Sequence, residues 1–113
     1  MEQLEYFYTV TLIVQILHSL EELSTGFHKK WYLFHMPFWV FLLFEILFTA
    51  LWISVLLFQA FPYREIFQAS FMVLMFANGI QHLIWARIEK KYVPGLILAP
   101  MHVVIFLLYY FKI

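Results

Sequence analysis

The chain has 113 residues, of which 65% are hydrophobic, 22% are aromatic and only 12% are charged, and its formal net charge is zero. A soluble domain usually carries about 25% charged residues, so this composition favours an integral membrane protein with one compact domain. The zero net charge argues against a nucleic-acid partner, and the absence of cysteine excludes disulfides and thiolate metal sites.

Four apolar segments are long enough to cross a bilayer core of about 30 Å, which takes roughly 20 helical residues. Gly26, Pro62 and Pro94 mark the breaks between them, as expected for residues that end or begin helices. The short connections make neighbouring helices antiparallel, which predicts an all-α, integral membrane four-helix up-down bundle that occupies residues 1–113. The predicted spans cover about residues 4–25, 36–60, 63–88 and 94–112.

The basic residues are distributed unevenly between the two ends of this bundle. Arg64 and Lys112 lie at one end, whereas five of the seven lie in or beside the first and third loops: Lys29, Lys30, Arg87, Lys90 and Lys91. The positive-inside rule therefore predicts that these two loops are cytoplasmic and that both termini are outside. We expect the membrane to be the plasma (inner) membrane. Membrane lipid is the expected surrounding partner, and a chain this small could form a homodimer.

Ionisable residues from all four predicted helices fall in the same half of the membrane. Counted inward from the cytoplasmic ends at 1.5 Å per residue, Glu21 and Glu22 lie about 5 Å deep. A charged group that faces lipid costs at least about 2.5–3.5 kcal/mol, so we expect the polar side chains to point into the bundle and toward one another. Counted in the same way from the cytoplasmic ends, five further polar residues lie about 9–15 Å deep: His18, Glu45, Asn78, His82 and His102.

The spacing of the polar residues on the first helix supports this interpretation. Gln15, His18 and Glu22 are separated by three and then four residues, which places them on one stripe, and Glu21 lies on its flank. On the third helix, Asn78 and His82 share a face in the same way.

His18, Glu21 and Glu22 form the motif His-x-x-Glu-Glu. Two further distinctive stretches follow later in the sequence, NGIQH (78–82) and YVPG (92–95). The chain resembles, over essentially its whole length, the HXXEE family of integral membrane proteins. The resemblance implies a membrane architecture and a polar site that contains His18, Glu21 and Glu22, with Asn78 and His82 as further positions, but it implies no activity.

Metal binding is the leading hypothesis for these residues, because imidazole and carboxylate groups suit zinc, iron or manganese. His18 and Glu22 are one helical turn apart and can reach one ion, and His82 would supply a third ligand. An open position on zinc or iron could then serve an intramembrane enzyme that acts on a lipid, an isoprenoid-like or another hydrophobic small molecule. The residues expected to support this site are Glu21 and Glu45 as catalytic acid or base, and Gln15, Asn78 and His102 as hydrogen-bonding neighbours of the ligands.

Several alternatives remain open at this point. The same histidines and glutamates could form a metal-free acid–base site, as in four-helix sterol isomerases, because buried glutamate can exchange protons near neutral pH. A proton-coupled small transporter is a second alternative, bis-histidine haem ligation by His18 and His82 is a third, and a hydrogen-bonded network that only joins the helices is a fourth.

Overall fold

The computed structural model describes residues 2–111, so Lys112, which the topology prediction used, lies outside the described residues. Residues 2–111 contain helices and no β-strand, which confirms the predicted all-helical fold. Four long helices and one short one follow each other along the chain: α1 (Glu2–Thr25), α2 (Phe27–Lys30), α3 (Phe38–Leu57), α4 (Arg64–Glu89) and α5 (Ala99–Phe111).

Contacts near the helix ends show that the four long helices alternate in direction. Tyr8, in the first half of α1, donates a hydrogen bond of 2.6 Å to the carbonyl of Trp52, in the second half of α3. The ring of Tyr8 also packs on Phe71, in the first half of α4, and Phe7 packs on Tyr109, near the end of α5. Helices α1 and α4 therefore run in one direction and α3 and α5 in the other, which is the order that the short loops predict.

The core consists of two apolar clusters with a polar layer between them. The first cluster lies toward the start of α1 and comprises Tyr8, Leu12, Trp52, Val55, Phe71 and Met75. The second lies where α1 meets α2 and comprises Phe27, Phe41, Trp85 and Val93. Between them, the inner face of α1 buries four polar residues: Gln15, His18, Ser19 and Glu22. The polar layer is thus enclosed by packed side chains toward both ends of the bundle.

Two helices, α3 and α4, are long and apolar enough to cross a membrane. Helix α5 has 13 residues, which at 1.5 Å per residue gives about 20 Å, less than the roughly 30 Å of a bilayer core. Large apolar side chains are exposed on every long helix, for example Ile13, Leu47, Ile84 and Leu108.

The last helix begins at Ala99 and not near residue 94 as predicted. Residues 94–98 form turns instead, because Gly95 adopts φ +91°, a left-handed conformation that a right-handed helix does not contain. Residues 27–30, which we predicted to be part of a loop, form the short helix α2.

Helix α3 ends at Leu57, three residues before its predicted end, where the backbone of Phe58 becomes extended, and Arg64 binds its last turn. The guanidinium donates hydrogen bonds of 2.8 Å and 2.7 Å to the carbonyls of Val55 and Leu56, and these are groups that have no partner within a helix end. Arg64 also forms a 2.6 Å ion pair with Glu5 of α1.

Candidate metal centre

The polar layer brings together the three side chains that the sequence predicts as metal ligands. Nε2 of His18 lies 3.2 Å from Nε2 of His82, and one carboxylate oxygen of Glu22 lies 2.9 Å from Nε2 of His82 and 3.6 Å from Nε2 of His18. His18 and Glu22 share a face of α1 because they are four residues apart, and α4 supplies His82 from the opposite side. All three side chains are buried, and they lie within metal-binding distance of one another.

The separations between these three atoms resemble those around a tetrahedral ion. Ligand atoms about 2.0–2.2 Å from such an ion are about 3.3–3.6 Å apart, and the observed separations are 2.9, 3.2 and 3.6 Å. Two imidazoles with one carboxylate are a known ligand set of catalytic zinc and of non-haem iron. The residues present therefore fit either of the two metals that we predicted.

A series of polar contacts connects α5 to the candidate ligand Glu22 through buried side chains of α1 and α3. Nε2 of His102 lies 3.1 Å from the amide oxygen of Gln15, and the amide nitrogen of Gln15 donates to the hydroxyl of Ser19 at 3.2 Å. Ser19 in turn donates to the carboxyl of Glu45 at 2.5 Å, and the Glu45 carboxyl is a hydrogen-bonding neighbour of Glu22. Each of the four long helices thus contributes to one polar network, since His82 belongs to α4.

Two predicted supporting residues take positions that differ from the expectation. The side-chain oxygen of Asn78 accepts a hydrogen bond of 3.3 Å from Gln81, so this amide interacts with its own helix. Gln15 binds His102 and Ser19 rather than a ligand itself. Ser19 was not among the predicted site residues, although its place four residues after Gln15 on the same stripe could have indicated it.

Glu21 points toward the segment that precedes α5. Its carboxylate accepts hydrogen bonds from the hydroxyl of Tyr92 at 2.5 Å and from the backbone N–H groups of Ile97 and Leu98 at 3.1 and 3.2 Å. Partial burial and this hydrogen bond to Glu21 raise the pKa of the Tyr92 hydroxyl, so it remains a donor at neutral pH. Glu21 therefore holds residues 92–98 in place, and its catalytic role stays a prediction.

The segment that Glu21 holds lies directly against the two imidazoles. A β-carbon on Gly95 would lie 2.5 Å from Nε2 of His18 and 2.6 Å from Cε1 of His82. Val93, Pro94 and Gly95 are buried, and the Pro94 carbonyl lies beside the ring of His82. The backbone can approach this closely only because residue 95 has no side chain.

A cavity of about 690 Å³ opens beside the candidate metal centre, between α3 and α4. Gln15, Glu22 and Glu45 contribute to its inner end, and its walls are mostly apolar. Glu22 therefore belongs both to the candidate metal centre and to the cavity. The other lining residues are Phe27, Trp31, Phe34, Met36, Val40, Phe41, Phe44, Phe48, Leu74, Met75, Ala77, Asn78 and Gln81.

Comparison with known proteins identifies a family but no characterised relative. A family model described as "Protein of unknown function with HXXEE motif" matches residues 9–110. Neither the curated proteins nor the solved structures include a match to the chain. Because the matched region spans both halves of the polar site and nearly the whole sequence, the chain belongs to the HXXEE family.

Proposed function

We propose that this protein is a four-span integral membrane metalloprotein that binds one divalent ion, zinc or iron, through His18, Glu22 and His82. We further propose that it is an enzyme that acts on a lipid or isoprenoid-like substrate. The observation that carries the proposal is the convergence of three buried ligand atoms from two helices, each within 3.6 Å of the others. Two imidazole nitrogens that face each other at 3.2 Å can share only one proton, whereas one cation satisfies all three groups.

The exposed surface supports the membrane part of the proposal. Only 22% of the most apolar stretch of α3 and 33% of that of α4 are buried inside the protein, which favours contact with lipid over a place in the core of a soluble fold. An exposed apolar surface of this extent is suited to lipid. The basic residues Lys29, Lys30 and Lys91 all lie at the end of the bundle where α1 ends and α5 begins, which is the predicted cytoplasmic end.

The non-helical segment before α5 is also compatible with a membrane. Irregular backbone at membrane depth is tolerated where protein covers it and satisfies its polar groups. Gly95 is buried, and the N–H groups of Ile97 and Leu98 donate to Glu21. Glu21 therefore supplies the acceptor that lipid could not.

The chain's own residues can position an ion and move a proton. When bound, the ion would polarise a substrate oxygen or lower the pKa of a water molecule. Glu45 neighbours Glu22 and lines the cavity, so it can exchange a proton with a molecule bound there. The carboxylate of Glu21 is engaged by three donors, and Glu45 is therefore the better placed of the two predicted catalytic glutamates.

The test of the metal centre is elemental analysis of protein purified in detergent and exposed to zinc or ferrous iron. We expect about one ion per chain in the wild type and almost none in His18→Gln, Glu22→Gln or His82→Gln. His35→Gln is the matched control, because His35 is exposed and lies outside the group of ligands. Circular dichroism establishes that each variant is folded, and a folded wild type that binds neither metal would refute the metal centre.

A metal-free acid–base enzyme is a second candidate, and the contact between the carboxyls of Glu22 and Glu45 favours it. Two neighbouring carboxyls can share one proton, and such a pair could give a proton to an apolar substrate and take one from it. Turnover that persists after complete removal of metal by a chelator would select this candidate over the metalloenzyme.

A further inference from the structure

We propose that the cavity between α3 and α4 binds a long-chain alcohol, with the apolar chain between the two helices and the hydroxyl group at Glu45. This inference deepens the proposed function by naming its substrate class, and its membrane setting and its choice of head group rest on that function. Binding of the ligand's alkyl chain needs no metal.

The position of the cavity makes it accessible to a molecule dissolved in lipid. Three residues at its rim, Phe34, Phe44 and Leu74, are exposed on the outside of the bundle. In a membrane this surface faces acyl chains, so a ligand can enter sideways between α3 and α4. The volume of about 690 Å³ falls within the range of about 300–1,000 Å³ that is usual for small-molecule sites.

The walls indicate that most of the ligand is apolar. Phe27, Phe41 and Phe48 extend along the cavity with Val40 and Met75. Such side chains offer dispersion contacts to a hydrocarbon chain and no hydrogen bonds.

The inner end of the cavity selects the head group by charge. Glu22 and Glu45 lie there, and no Lys or Arg is among the described residues that line the cavity. With a divalent ion at the neighbouring candidate metal centre, the carboxylates of Glu22 and Glu45 balance its two charges, so a phosphate or carboxylate there would add a buried charge that has no partner, which is unfavourable. The head group is therefore a hydrogen-bond donor without negative charge.

The neighbouring candidate metal centre distinguishes a hydroxyl from an amine. Glu22 lines the cavity and is also a ligand candidate, so a head group at Glu45 lies close to the ion. An ammonium group there would be repelled by a divalent cation, whereas a hydroxyl can donate to Glu45 and present its oxygen lone pairs to the ion. The geometry thus points to an alcohol.

The inference is tested by saturable binding of radiolabelled hexadecanol to the protein in phosphatidylcholine nanodiscs, with and without zinc. Hexadecylamine, hexadecanoic acid and hexadecyl phosphate serve as competitors of equal chain length. On the zinc-loaded protein we expect hexadecanol to compete best, and the acid and the phosphate to be at least about tenfold weaker, a difference of about 1.4 kcal/mol. Equal or tighter binding of the phosphate, the acid or the amine would overturn the choice of head group.

Cavity-filling variants locate the binding site. Val40→Trp and Ala77→Leu both narrow the cavity, and we expect either to weaken hexadecanol binding at least tenfold. Val104→Trp is the control, because Val104 is exposed on α5, away from the cavity. Unchanged binding in a folded Val40→Trp or Ala77→Leu variant would refute the site.

Failure of this inference can be told apart from failure of the proposed metal centre. Protein that binds zinc stoichiometrically but shows no saturable hexadecanol binding refutes the alcohol site alone. If the protein binds no metal but binds hexadecanol, and Val40→Trp weakens that binding, the metal centre is refuted and the alcohol site is supported.

Discussion

Substitution of Gly95 by alanine tests whether the turn before α5 closes the candidate metal centre. The backbone of Gly95 has φ +91°, and its new β-carbon would lie 2.5 Å from Nε2 of His18 and 2.6 Å from Cε1 of His82. Carbon atoms in favourable contact are about 3.5–4.0 Å apart, so either the turn or both imidazoles must move by about 1 Å.

Two separate penalties set the size of the expected effect. A residue with a β-carbon in the left-handed region costs roughly 1–2 kcal/mol, and overpacking of a closely packed interior costs typically about 1–3 kcal/mol. We therefore expect Gly95→Ala to lower the free energy of unfolding by about 2–5 kcal/mol. If the imidazoles move instead of the turn, metal affinity falls, because ligand atoms must be held close to their coordination geometry.

Gly26 provides a matched control for the backbone part of this effect. It also has a left-handed conformation, with φ +82°, but the nearest atom to its added β-carbon is Cε of Lys29, the flexible part of an exposed side chain, at 3.1 Å. Gly26→Ala should therefore show only the backbone penalty and should retain its metal. Denaturant titration in mixed micelles measures the free energy of unfolding, and elemental analysis measures the metal content. Equal stability and equal metal content in the two variants would refute the argument that Gly95 closes the site.

Three further predictions concern other parts of the molecule. Tyr8→Phe removes a buried hydrogen bond to the carbonyl of Trp52 and should lower the free energy of unfolding by about 0.5–1.5 kcal/mol; an unchanged value would show that water or another group replaces the hydroxyl. Glu21→Gln removes the charge that holds residues 92–98 and should weaken metal binding roughly 10–100-fold, whereas metal affinity equal to that of wild type would exclude this positioning role. Because the chain has no cysteine, Lys91→Cys and Gln59→Cys are unambiguous reporters of topology. A membrane-impermeant maleimide should label only the variant at residue 59 in intact cells, and the reverse pattern would invert the predicted orientation.

The sequence was sufficient to predict the helical fold because its breaks are chemically distinct. Pro62 lies in the connection between α3 and α4, as expected for a residue that a helix interior does not accept. Gly26 separates α1 from α2 with a left-handed conformation that glycine readily adopts. Such residues act locally, so their effect on the chain can be read without knowledge of tertiary contacts.

The grouping of His18, Glu22 and His82 could be predicted because helix geometry places two of these residues on one face. His18 and Glu22 must share a face of α1, and the cost expected for a polar group in lipid predicted that this face turns toward the other helices. The third member, His82, follows from the same argument applied to α4. What could not be predicted is the pairing of Ser19 with Glu45 at 2.5 Å, since it depends on the rotation of α3 against α1.

The late start of α5 shows where the sequence argument was insufficient. Proline at position 94 is compatible with the first turn of a helix, and the pattern of apolar residues after it gives no reason to expect a turn. The turn is stabilised by Glu21, which lies 76 residues before Ile97 in the sequence. A boundary that depends on so distant an acceptor cannot be inferred from local propensity.

The two glutamates of the motif consequently have different roles, although they are adjacent. Glu22 is one full turn from His18 and faces His82, whereas Glu21 is rotated by about 100° on the helix and faces the start of α5. One residue builds the candidate metal centre, and the other fixes the backbone that covers it, with Gly95 at the point of contact. In this chain, one five-residue segment of α1 therefore contributes two candidate ligands and also anchors the covering segment.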